Sequence, residues 1–133
     1  MLALRLVPGS DLRRAIESAV RDQGIAAAFA VSGIGSLATA CVRFAGQRDP
    51  TVLQGPFEIL TLQGSLSPDG SHLHIALADA KGAVLGGHVA AGCTVHTTAE
   101  ILIAPVSGFR FSREVDPATG HRELRVEPSV RLK

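Results

Sequence analysis

Three of the five histidines in this 133-residue chain fall within "SHLHIALADAKGAVLGGH": His72, His74 and His88. Neutral imidazoles bring lone pairs to a divalent metal, and three of them around one point suit Zn²⁺ at about 2.0 to 2.1 Å, with a fourth position left for water, a carboxylate or a ligand. Whether they converge depends on the turns between them. "DAKGA" fits a three-residue loop of Ala80, Lys81 and Gly82, closed by a left-handed glycine, which pairs Asp79 with Ala83 and sets His74 opposite His88. Opposed residues of an antiparallel pair share a face with Cβ atoms about 5 Å apart, and His72, two residues along, shares it too.

The same count through "SPDGS", with Pro68, Asp69 and Gly70 as the loop, places Gly64 opposite His74 and leaves space beside the imidazole. Gly86 and Gly87 then thin the wall before His88, with Leu73, Ile75 and Leu77 facing the core. Leu60 and Leu62 are expected on the histidine side, which a helix or a second subunit should cover. Glu58 and Glu100 are the carboxylates nearest in kind to the chemistry, either as partners of the imidazoles or as proton acceptors for a metal-bound water. A His-x-His pair on a strand can equally be an interface pair bonded to backbone carbonyls, so spacing alone leaves both readings open. His96 and His121 read as surface or hydrogen-bonded residues.

Positioning such a face requires strands. "MLALRLV" alternates with period two, and "FEILTLQGSL", "HLHIALAD", "AVLGGHVAAG" and "HTTAEILIAPV" are extended runs between turn signals. "FRFSREV" and "HRELRVE" flank the turn "DPATG". "SDLRRAIESAVRDQG" is the clear helix: Leu12, Ala15, Ile16, Ala19 and Val20 recur at three and four, with Ser10 as the N-cap and Gly24 as the stop. "IAAAFAVSGIGSLATACVRFA" reads as two extended segments bent at Gly33 and Gly35. The fold class expected is α+β (α/β): one domain over residues 1–133, with a central, mostly antiparallel sheet and flanking helices.

Composition narrows the function. Thirteen Lys and Arg against twelve Asp and Glu give a net charge of +1, so no global field draws the chain to phosphate backbones or anionic lipid. "GIGSLA" matches a dinucleotide fingerprint in form, but no amphipathic helix follows to bind a pyrophosphate. Cys41 and Cys93 lack Cys-x-x-Cys spacing and read as reduced packing residues, and no apolar run is long enough to span a membrane. The expectation is a cytoplasmic protein.

The segments "LRLVPGSDL", "SGIGSLATA", the block from "GPFEILTLQGSL" to "HTTAEILI" and the late "FRFSREVDPATGHREL" together resemble the PPC domain, the plants and prokaryotes conserved domain. The resemblance implies a homotrimer and, in stand-alone prokaryotic members, a histidine-bound metal, often zinc, carried here onto His72, His74 and His88. Plant members pair the domain with an AT-hook that binds DNA, and this chain has no "RGRP" core. Three functions follow as expectations. The first is a trimeric binding and assembly module whose metal site holds a small anionic ligand. The second is a metal-dependent hydrolase or lyase using Glu58 or Glu100. The third is a DNA-associated regulator using Arg110, Arg113, Arg122 and Arg125.

Overall fold

The computed structural model describes residues 1–129. The chain runs β1 (Leu2–Leu6), α1 (Leu12–Asp22), β2 (Ala28–Arg43), β3 (Thr51–Ser67), β4 (Gly70–Ala78), β5 (Val84–Val89), β6 (Thr94–Pro105), β7 (Phe109–Val115) and β8 (Arg122–Pro128). Six strands form an antiparallel sheet in the order β1-β6-β2-β3-β4-β5, and β7 and β8 form a separate hairpin.

The balanced α+β class with flanking helices is overturned: among the described residues strand accounts for 62% and helix for 9%, the latter in a single element. The physical reason lies in β2 and β3. Each exceeds fifteen residues, and β2 pairs with β3 and β6 along its length and with β5 at Val42 and Arg43. The ladder β2–β3–β4–β5 thus closes back on β2, and the curled sheet buries its own concave side. Extra helices are not needed to cover it. Bulges supply the curvature. At Gly35, φ is +139°, and a side chain would meet the backbone of β6 at Ala99 Cα, 2.7 Å away. The glycine therefore bends one continuous strand, where two were expected.

Helix α1 closes the open end of this core with Leu12, Ile16 and Val20, each 2% exposed or less. Its N-cap is Asp11, whose Oδ1 accepts from the Arg14 amide and whose Oδ2 accepts from the Gly92 amide. Ser10 was expected there. Its backbone is instead tied to Val95, which leaves the cap one residue later. Gly24 has the left-handed φ that stops the helix. Among the described residues, no helix is long and apolar enough to cross a membrane.

Candidate metal centre

His74 lies opposite His88 in the β4–β5 ladder, as the "DAKGA" count requires, with the Asp79 amide donating to the Ala83 carbonyl at 2.9 Å. His72 shares their face because Leu73 and Ile75, the alternate residues, are buried in the core. One nitrogen from each ring lies within 4.8 Å of the others. His72 Nε2 and His74 Nε2 are 3.1 Å apart, and the ring centroids of His72 and His88 are 5.1 Å apart.

The "SPDGS" count is off by one. Ser67 pairs with Gly70, so Gly64 faces Leu73 and Gln63 faces His74. Ser67 Oγ accepts from the Asp69 amide and donates to the Gly70 carbonyl, which closes the shorter turn. Gly64 opens no gap beside His74: a Cβ there would strike the backbone of β4 at His72 and Leu73. Gly86 and Gly87 are likewise tight crossings, against Ile75 and Arg43. A register shift between Ile59 and Thr61 turns Leu62 into the core and leaves only Leu60 outside.

Glu58 pairs with Ser36 and Ala78, and Glu100 with Arg5 and Ile34, both exposed. Neither is brought to the histidines. Cys41 and Cys93 are free and buried, and burial pushes the Cys93 thiol up to about 11, so it is a packing group. His96 is exposed, as expected.

The residues that surround the trio come from places the spacing did not indicate. Arg43 is the cross-strand partner of His88 on β2, and Ser65 is the partner of His72 on β3. Ser65 Oγ accepts from Arg113 Nη2 at 2.5 Å, and the Arg113 amide donates to Asp69 Oδ2 at 3.0 Å. The β7–β8 hairpin is thereby fixed over the histidine face, where a helix or another subunit was expected. Buried Phe111 anchors it edge-on to Phe29, with centroids 5.6 Å apart. A cavity of about 540 Å³ lies between hairpin and sheet; its lining includes His72, His88 and His121, the carboxylates of Asp69 and Glu123, and five arginines: Arg13, Arg43, Arg48, Arg113 and Arg122. Only pairing over more than forty residues, such as Arg113 to Ser65, could have revealed this wall.

These surroundings set the proton state. Burial, then the charges of His74, Arg113 and Arg43, lower the basicity of His72. Burial, with His72, Arg43 and Arg13, lowers His88 to about 4. Both rings are therefore neutral at pH 7 and carry a free lone pair, the form that ligates metal. His88 Nδ1 is buried without a hydrogen-bond partner, an orphaned acceptor or donor that a protein ordinarily does not leave. Tetrahedral zinc places its nitrogen ligands about 3.3 Å apart, given Zn–N of about 2.0 to 2.1 Å, and the His72–His74 spacing of 3.1 Å fits that edge. The donor set suits a divalent ion.

Fold and site together define a class: a curled antiparallel sheet with a histidine trio on its outer face and a hairpin folded over it. The model of the Plants and Prokaryotes Conserved (PCC) domain matches residues 1–107, and the chain belongs to that family. It is 50% identical over 93% of its length to the bifunctional protein GlmU of Synechococcus sp. strain JA-3-3Ab, but spans only about a fifth of that relative, 20% of its length. Among solved structures, a hypothetical protein of Salmonella enterica superposes with a TM-score of 0.94 at 38% identity, covering 97% of this chain and 94% of that one. The metal-containing protein AF0104 of Archaeoglobus fulgidus gives 0.81 at 33%, covering 92% and 90%. A candidate DNA-binding protein of Ralstonia eutropha JMP134 gives 0.84 at 26%, covering 94% and 90%.

Proposed function

We propose that residues 1–133 form one domain that acts as a metal-binding assembly module, in which His72, His74 and His88 hold a divalent ion, zinc in the first instance. The observation that carries this reading is the convergence of three imidazole nitrogens within 4.8 Å on adjacent strands. The likeness to a protein named as metal-containing supports it. A bound ion would supply Lewis acidity and an open coordination position for a ligand. The protein's own residues fix the ligands: the β4–β5 ladder sets the spacing, and burial keeps His72 and His88 neutral.

Assembly as a homotrimer in the cytoplasm completes the proposal. The sheet's outer side carries Phe29, Val31, Ile34 and Leu60, exposed by 39% to 53%, apolar side chains of the kind a second copy covers.

A hydrolase or lyase reading needs a proton acceptor near the ion; Glu58 and Glu100 are not there, and the carboxylates that line the cavity with His72 and His88 are Asp69 and Glu123. DNA binding is suggested by the Ralstonia neighbour, but the four hairpin arginines do not form one surface. Arg113 and Arg122, opposite Leu124 and Val115, share the inward side with Phe111, whereas Arg125 turns outward into ion pairs with Glu114 and Glu127.

The test is elemental analysis of protein purified without immobilised metal, beside a His74→Ala variant. About one equivalent of zinc per chain, lost in the variant, is the expected result. Equal and negligible metal in both removes the site.

A further inference from the structure

The cavity beside His72 and His88 carries five arginines against two carboxylates, Asp69 and Glu123. Arg13 is committed: its guanidinium bonds Glu17 at 2.9 Å and the carbonyls of Val89 and Ser71. Among the described residues no carboxylate lies within 4.0 Å of the guanidinium of Arg43, Arg48, Arg113 or Arg122; Arg43 bonds the Gln47 carbonyl at 3.3 Å and Arg122 the Arg113 carbonyl at 2.7 Å, which leaves each with further donors. Arg113 is 9% exposed, and its guanidinium has Ser65 Oγ as a partner, so most of its five N–H donors remain to be satisfied. Donors left open at a cavity wall are ready to receive an anion. The same residue sits beside His72 through Ser65, and Arg43 sits beside His88 on the facing strand.

We propose that this cavity binds the phosphate group of a small phosphorylated molecule, gripped by Arg43, Arg113 and Arg122 against the histidine centre. The inference rests on the trio being the functional centre. Guanidinium forks recognise both carboxylate and phosphate in bidentate fashion. Here they arrive from three different strands, β2, β7 and β8, which suits the three peripheral oxygens and near-double charge of a phosphomonoester better than one planar carboxylate. The 540 Å³ volume is that of a small-molecule site. Arg113 and Arg122 lie on the hairpin, beyond residue 107 where the family match ends.

Calorimetric titration of the purified protein with inorganic phosphate tests the proposal, with succinate as the carboxylate arm and a short DNA duplex as the macromolecular one. Arg122→Gln and Arg43→Gln, both at least partly exposed, should each weaken phosphate binding about tenfold or more. Arg110→Gln, on the other side of the hairpin, should leave it unchanged. Absence of saturable phosphate binding at millimolar concentrations overturns the proposal. So do succinate binding as tightly as phosphate, duplex binding that phosphate does not displace, or equal effects of Arg110→Gln and Arg122→Gln. Zinc content measured on the same preparations separates the two readings: metal retained without phosphate binding defeats only this inference, and arginine-dependent phosphate binding without metal defeats only the metal site.

Discussion

Removing the carboxylate of Glu17 should unfasten the helix from the strand that carries His72 and His74. Glu17 Oε1 accepts three hydrogen bonds: from Arg13 Nε at 2.9 Å, from the Ser71 amide at 3.1 Å and from the Ser71 hydroxyl at 2.6 Å. Arg13 in turn donates to the Ser71 carbonyl, so both polar backbone groups of Ser71 are held by α1. A hydrogen bond to a charged group is worth roughly 1.5 to 3 kcal/mol when buried, but the Glu17 side chain is 27% exposed, and water replaces part of what is lost. Glu17→Ala should therefore cost about 2 kcal/mol, a fall in Tm of about 8 °C for a chain of this length. Glu17→Gln keeps an acceptor for Ser71 and should cost about half as much.

The pH dependence separates the charge from the contact. Burial alone would raise the Glu17 carboxyl, but the Ser71 hydroxyl and Arg13 outweigh it and hold the group below its ordinary value. A depressed carboxylate contributes stability that is full above the unfolded value of about 4.3 and is lost as pH falls through the lower folded value. Urea melts followed by circular dichroism from pH 7 down to pH 3 should show the wild type losing that increment while Glu17→Gln, without it from the start, shows a flatter acid limb. Parallel acid limbs, or a Glu17→Ala variant within about 0.5 kcal/mol of wild type, would refute the reasoning.

Two further outcomes follow from packing. Gly64→Ala sets a methyl against the β4 backbone at His72 and Leu73, where Leu73 Cα would be 2.8 Å away, so it should cost about 2 to 3 kcal/mol in denaturant melts and lower zinc content by displacing His72. Ile34→Lys, at a position 53% exposed, should leave the monomer's melting within about 0.5 kcal/mol but reduce the mass measured by sedimentation, and an unchanged mass would exclude the apolar side of the sheet as the assembly surface.

The histidine face was legible because one short turn decides it. The relation of His74 to His88 passes only through "DAKGA", where Asp79 Oδ1 accepts from the Lys81 and Ala83 amides and Gly82 takes φ +80°. These are local demands that residue types announce. At "SPDGS", Ser67 closes a two-residue turn by bonding within itself and its neighbours, and nothing in the spacing distinguishes that from three residues. The slip displaced Gly64 and, with the bulge near Leu60, Leu62, but left the trio intact because β3 contributes none of its ligands. Helix α1 was readable from its 3.6-residue period, whereas the number of helices was not: whether a sheet needs covering depends on whether it curls, and the curl comes from the distant pairing of Val42 with Val89.

The arginine wall marks the limit of local reading most clearly. Arg113 and Arg125 are both arginines within strands of the same hairpin, and residue type alone does not tell their roles apart. Register separates them: Arg113 stands opposite Leu124 on the side of Phe111, and Arg125 stands opposite Ser112 on the other. Burial of Phe111 against Phe29 decides which side of the hairpin faces the sheet, and so carries Arg113 into the cavity and leaves Arg125 among Glu114 and Glu127 in solvent. An apolar contact made for stability thus selects which charges can act on a ligand. Phe111→Ala should therefore do more than remove about 3 to 5 kcal/mol of packing. With the hairpin loosened, Arg113 and Arg122 should no longer hold phosphate, while the β4–β5 ladder keeps His74 opposite His88 and the zinc content unchanged. Phosphate affinity retained in a folded Phe111→Ala protein would show that the hairpin contributes nothing to the site.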